Sequence, residues 1–207
     1  MGSWVPYQLH EILDVDPTRA LVRMYIEHRD TRAILREAAG GRMWRRAAEF
    51  GCGFGRMTQL LCEFSTEVHG FEREPSFVET GRRLVEKVHF HQLNDLGSIP
   101  LESGSLDCSL SFVFLQHLTD RKAEQVLGEL RRLTVPGGVV LLCEETDPDL
   151  RAGDIENELG QSTIGRPAEW YQSRMQDFEL LKTAPRRIEP SYPRADVGTY
   201  MLFGKTR

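Results

Sequence analysis

The residues best equipped for chemistry stand together at Ala48-Glu49-Phe50-Gly51-Cys52-Gly53-Phe54-Gly55-Arg56. Glycines at alternate positions leave bare main chain for a ligand to lie against, and an acid precedes them by two residues. Arg46 to Phe50 reads as a strand, and Met57, Leu60, Leu61 and Phe64 recur at helical spacing. A strand that enters a helix through such a loop turns the unpaired N–H groups of the first helical turn toward the ligand. Pyrophosphate does not suit this loop. The dinucleotide fingerprint places its third glycine where this chain has Arg56, and Glu49 would repel phosphate.

Further acids and turns follow in order. Glu67 to Phe71 reads as a second strand ending at Glu72, about 20 residues beyond Gly51, the distance at which a strand-end acid reaches ribose hydroxyls. Val88 to Leu93 is a third strand, followed by Asn94-Asp95-Leu96 and the Ile99-Pro100 segment. Cys108 to Val113 is a fourth strand, leading to His117, and Leu133-Thr134-Val135-Pro136-Gly137-Gly138 introduces a fifth, Val139 to Cys143. His89 and His91 share a strand face, but two histidines make a poor metal site, and no metal is expected. Glu144, Glu145 and Asp147 after the fifth strand are the acids to check for a metal cluster.

Glu49 with its glycines, Glu72, Asp95 and the Pro-Gly-Gly turn resemble, in order and spacing, the class I S-adenosylmethionine (SAM)-dependent methyltransferases. SAM has no phosphate and carries an ammonium and a sulfonium, so a nearby carboxylate attracts it. The resemblance implies that its methionine part lies over Glu49, Gly51, Cys52, Gly53, Gly55 and Arg56. It places the ribose on Glu72 beside Arg73, the adenine at Asp95 and Leu96, and Phe112 at the end of the fourth strand next to the cofactor. It also implies a catalytic base at His117, where the family commonly has a histidine near the transferred methyl.

The elements that must position these residues are those of an α/β fold. It is a three-layer sandwich around a seven-stranded, mostly parallel sheet with an antiparallel last strand, preceded by a helical extension. Phe178 to Thr183 and Tyr200 to Phe203 read as strands with no helix between them, so they should pair antiparallel. Residues 147–166 read as a mobile loop with one helical turn, and Pro167 starts a helix. One domain spans 1–207, with a core at 46–207 and an extension at 1–45. Asp16-Pro17 opens a first helix in that extension, with Leu21, Met24, Tyr25 and His28 on one face, and a second runs from Asp30 to Gly40-Gly41. The extension folds over the cofactor or only covers the sheet. As a lid, its Trp4, Tyr7 and Tyr25 would wall an acceptor pocket with Trp170 and Tyr171.

A net charge of −5 gives no basic footprint for nucleic acid. The fourth strand ends in Ser-Phe-Val-Phe, not the Asn/Asp-Pro-Pro-aromatic segment of the exocyclic-amine methylases. The longest uncharged apolar segment, 108–119, falls short of the roughly 18 residues of a membrane span. The four cysteines show no C-x-x-C spacing and read as buried hydrophobes, and the N-terminus is no signal peptide. The expectation is a cytoplasmic monomer or homodimer that methylates an oxygen or nitrogen of a small molecule. A peptide or protein amine is the alternative acceptor, because Gly53 to Thr58 and His117 to Asp120 are similar to segments of the protein N-terminal methyltransferases. Those enzymes have Lys-Asp-Asn after the fifth strand, where this chain has Cys143-Glu144-Glu145. A nicotinamide-dependent oxidoreductase is a further alternative, disfavoured by Arg56 and Glu49.

Overall fold

Neighbouring residues along the central strands are buried on opposite faces of one sheet: Ala47 and Ala48, Leu141 and Leu142, Leu202 and Phe203. Burial on both faces is what the apolar runs require, and it makes a three-layer architecture. A computed structural model describes residues 17–153, 162–187 and 198–206.

The sheet is built from β1 (Trp44–Phe50), β2 (Ser65–Glu72), β3 (Val88–Gln92), β4 (Leu106–Phe112), β5 (Thr134–Glu144), β8 (Phe178–Pro185) and β9 (Thr199–Lys205). Its order is β3-β2-β1-β4-β5-β9-β8. The first five strands pair in parallel, and β9 runs antiparallel to both β5 and β8. The antiparallel pairing expected of the last two strands is present, with β9 inside the sheet and β8 at its edge. The chain winds from β1 outward to β3, then crosses to β4. The crevice at this reversal, outside the carboxyl ends of β1 and β4, is where open α/β sheets bind ligands.

One face is covered by α1 (Pro17–Ala39), α2 (Thr58–Leu61) and α3 (Pro75–Leu84). The other is covered by α4 (Asp120–Leu133) and α5 (Ala168–Arg174). α2 is a single turn, shorter than the run to Phe64 implies, although Met57, Leu60, Leu61 and Phe64 are all buried. Leu84, the last residue of α3, is exposed.

Two further expectations are corrected. The N-terminal region holds one helix over 17–39, because Asp30 and Thr31 do not interrupt it. Asp30 pairs with Arg29, and Thr31 turns inward to donate to the Tyr200 hydroxyl at 3.3 Å. Part of the loop at 147–166 is a small antiparallel hairpin of β6 (Arg151–Gly153) and β7 (Ser162–Ile164). Pro136-Gly137-Gly138 bulges from the start of β5, where the register jumps from Leu106↔Thr134 to Cys108↔Val139. Among the described residues no helix is long and apolar enough to cross a membrane.

Two glycines should respond oppositely to a methyl group. Gly128 lies inside α4 with nothing within 4 Å of an added Cβ, so Gly128→Ala should stabilise by about 1 kcal/mol. A Cβ on Gly165 would lie 1.7 Å from the Asp147 carbonyl oxygen, so Gly165→Ala should destabilise by at least about 2 kcal/mol. Urea unfolding of both variants measures the two effects.

Candidate active site

The glycine loop leaves β1 in a conformation that side chains resist: Gly51, Gly53 and Gly55 have φ of 68°, 54° and 89°. A Cβ at Gly51 would lie 2.2 Å from the Phe114 ring, so glycine lets the segment after β4 approach the loop. The N–H groups of Gly51 and Cys52 donate to the Phe71 carbonyl at 2.9 and 3.1 Å, tying the loop to β2. Cys52 is buried, which raises its thiol pKa, and it offers a ligand only main chain.

Glu72 ends β2 beside this loop. Its Oε2 accepts from Gly53 N–H at 2.9 Å, and its Oε1 accepts from Arg73 and Glu74 N–H at 2.7 and 2.9 Å. The carboxylate is thus fixed by main chain with one of its roughly four lone-pair sites, on Oε2, left for a hydroxyl and a second available where a hydroxyl takes the place of the Gly53 N–H. Asp95, beyond β3, accepts at Oδ1 from Gly97 N–H at 2.9 Å and from the Lys122 ammonium at 3.5 Å. The Gly97 N–H is the main cause of its lowered pKa. Leu96 is buried under α4.

Glu49 lies beneath the loop, 2% exposed, and accepts a short hydrogen bond from the Thr58 hydroxyl. Burial pushes its pKa up to about 8, although Thr58 and Arg56 oppose the shift. Burial thus favours the acid form of Glu49 in the free protein, which the sequence does not suggest.

Arg56 introduces a cluster that sequence reading missed. It donates from Nη1 to Glu27 Oε2 at 2.6 Å, while Arg186 binds Glu27 Oε1 through Nε at 3.0 Å and Nη2 at 2.6 Å. Arg23, one helical turn earlier, reaches the same oxygen at 3.2 Å. Both guanidinium groups of Arg56 and Arg186 also lie over the Phe112 ring, 5.2 and 5.4 Å from its centroid. Burial would raise the Glu27 pKa, but Arg186, Arg56 and Arg23 together hold it well below the carboxylate range. Glu27 comes from α1, Arg56 from the loop and Arg186 from just after β8, so only tertiary structure unites them.

His117 stands in a short 3-10 turn, 115–117, after β4, and its Nδ1 lies 2.6 Å from the Ser162 carbonyl oxygen. A carbonyl only accepts, so Nδ1 carries the proton, and in the neutral ring Nε2 is the basic nitrogen. Glu144 and Glu145 are buried, and no metal-binding group of side chains occurs among the described residues. Among the described residues the expected aromatic wall is not assembled. Trp4 and Tyr7 lie outside the described residues, Tyr25 is 68% exposed, Tyr171 is fully buried, and Trp170 stacks on Arg166 and Arg174.

An α/β sheet with its glycine loop, ribose-type acid and switch-point crevice in these places has the fold of the class I, SAM-dependent methyltransferases. Residues 48–142 match the family described as methyltransferase domain. It is 30% identical over 134 residues to a malonyl-[acyl-carrier protein] O-methyltransferase of Serratia marcescens, covering 65% of this chain and 49% of that protein. The chain spans about half, or less, of the length of the curated relatives it matches. In three dimensions it is similar to a SAM-dependent methyltransferase of Leishmania major, with TM-score 0.71, 18% identity and coverage of 88% and 72% of the two chains. The N-methyltransferase NodS of Bradyrhizobium japonicum, solved with S-adenosyl-L-homocysteine, gives TM-score 0.65 at 14% identity, covering 86% and 87%. The donor set fits SAM: the Glu49 acid beneath the loop, a main-chain-braced carboxylate for the ribose, and the Arg56 guanidinium, which gives Glu27 one nitrogen.

Removing Glu27 should leave buried Arg186 without this counter-charge. Glu27→Ala is expected to cost about 3 kcal/mol or more in urea unfolding. Arg32→Ala, which removes a partly exposed bridge to Glu63, should cost less than about 1 kcal/mol.

Proposed function

We propose that the chain is a SAM-dependent methyltransferase acting on an oxygen or nitrogen of a small molecule. The observation that carries this reading is the Glu72 carboxylate, held over the glycine loop by the N–H groups of Gly53, Arg73 and Glu74. Bound SAM supplies an electrophilic methyl on a positively charged sulfur. Glu72 receives the ribose hydroxyls, Asp95 and the Leu96 N–H hold the adenine edge, and Arg56 meets the methionine carboxylate. Gly51 to Gly55 admit the ligand against main chain, with Arg73 and Phe112 at its borders.

His117 takes the acceptor's proton at Nε2, since Nδ1 is committed to the Ser162 carbonyl. The acceptor enters by a cleft of about 390 Å³ at the carboxyl ends of β5 and β8, lined by Glu145, Thr146, Asp147, Thr183 and Thr199 among others. The cleft adjoins the His117 turn, where Gln116 Oε1 accepts from Glu145 N–H at 2.9 Å. Hydroxyls and carboxylates there suit a hydroxyl- or amine-bearing acceptor better than the acidic malonyl group named for the Serratia relative. The α1 helix closes the cofactor side through Glu27, so the described residues act as one unit.

Calorimetry with SAM, S-adenosylhomocysteine and NAD tests the cofactor. SAM and its demethylated product should bind, NAD should not, and Glu72→Ala should weaken SAM at least tenfold. Equal binding of SAM by Glu72→Ala would misplace the site, and NAD binding would restore the oxidoreductase. Glu49 adds a pH test. Its acid form predominates in the free protein below about pH 8, and a bound cation favours the carboxylate. SAM should therefore displace a proton at pH 7 and bind more tightly as pH rises toward 8, an effect absent in Glu49→Gln. Affinity independent of pH in the parent would make Glu49 purely structural.

A further inference from the structure

The segment joining β4 to α4 carries the one non-glycine residue with positive φ among the described residues. Val113 has φ of 53°, a conformation that a β-branched side chain strongly resists. Strain of this kind persists only where the surroundings over-determine it.

Two buried, oppositely charged groups do so here. Glu144, fully buried at the end of β5, accepts from the Ser111 hydroxyl at 2.8 Å, Phe114 N–H at 3.1 Å and Gln116 N–H at 3.1 Å. From the other side Arg166, 2% exposed, donates to the Leu115 carbonyl at 2.9 Å and the Leu118 carbonyl at 2.5 Å. Its Nε is held by Asp120 at 2.8 Å, and its plane lies 4.8 Å from the Trp170 ring centroid. The carboxylate thus collects N–H groups of the turn and the guanidinium collects its C=O groups. His117 lies between them, with Nδ1 on the Ser162 carbonyl.

We infer that Glu144 and Arg166 are positioning residues: together they clamp the strained turn 113–118 so that His117 keeps Nδ1 on the Ser162 carbonyl and its ring in one tautomer. The inference rests on the reading of His117 given under the proposed function. It also gives Glu144 a role other than metal ligand or acceptor contact, since its oxygens are occupied by the turn. The clamp lends direction to a histidine whose short turn alone would not fix its ring.

The test is made on ¹⁵N-labelled full-length protein. Long-range ¹H–¹⁵N NMR reads the His117 tautomer, hydrogen exchange reads the Phe114 and Gln116 amides, and calorimetry reads SAM affinity. In the parent at pH 8 the His117 proton should sit on Nδ1. Glu144→Gln replaces one acceptor oxygen by a donor, so both amides should exchange at least tenfold faster and His117 should become a tautomer mixture. SAM affinity should change less than threefold.

Because the clamp's task is to hold Val113 in its strained conformation, Val113→Gly combined with Glu144→Gln should restore the single tautomer and the slow exchange. Gly128→Ala, a general stabiliser, should not restore them. Should Glu144→Gln not fold, Arg166→Lys puts the same question from the carbonyl side and should give the same tautomer mixture. An unchanged His117 signal in the folded variants, or rescue by Gly128→Ala as well as by Val113→Gly, overturns the clamp. A parent that fails to bind SAM overturns the proposed function instead, so the two failures are distinguishable.

Discussion

Backbone N–H groups that leave the strand ladder at the carboxyl edge of the sheet need acceptors, and most of the site is built from how they find them. Buried polar groups left unpaired would cost more than the local contacts return. Here the acceptors are glutamates supplied by the strands themselves. Glu72 at the end of β2 takes the N–H groups of Gly53, Arg73 and Glu74, and Glu144 at the end of β5 takes those of Phe114 and Gln116. Each carboxylate joins its own strand end to the segment that follows a neighbouring strand. The crevice between β1 and β4 is therefore shaped by fixed anionic groups, a suitable environment for a cationic nucleoside and an unsuitable one for phosphates.

The same constraint explains the α1 helix. Its lower half, with Ile34, Leu35 and Ala39, meets the apolar middle of the sheet. Its upper half reaches past the strand ends, where arginines and a tyrosine hydroxyl must be met, and there Glu27 and Thr31 face inward. Leu21, Met24 and Tyr25, which look like a core face, are exposed instead. Hydrophobic pattern predicts the packed face of a helix only where it crosses apolar structure.

That distinction also separates what was legible in the sequence from what was not. The strands are apolar runs with period-two burial on both faces, so their number, order of appearance and parallel character could be read, as could the glycine loop whose φ values require glycine. The acid at Glu72 could be found from its distance to the loop. Arg186 could not, since it pairs with Glu27 from 159 residues away, in a proline-rich region with no motif. Nor could Arg166, two of whose nitrogens bind main-chain carbonyls, or the raised pKa of Glu49, which follows from burial. The helix expected to begin at Asp30 is instead continuous with the first, since Asp30 pairs with its neighbour Arg29 and Thr31 reaches Tyr200 across the fold.

A fold of this kind carries many acceptors, so the reaction is decided at the site and not by the architecture. The most direct measurement is a crystal structure of the full chain grown with S-adenosylhomocysteine. The account predicts both ribose hydroxyls on the Glu72 carboxylate, the adenine beside Asp95 and Leu96, the homocysteine carboxylate at Arg56, and the sulfur toward the turn that bears His117. A ligand that leaves Glu72 bonded only to main chain, or that lies away from the β1–β4 crevice, would contradict it.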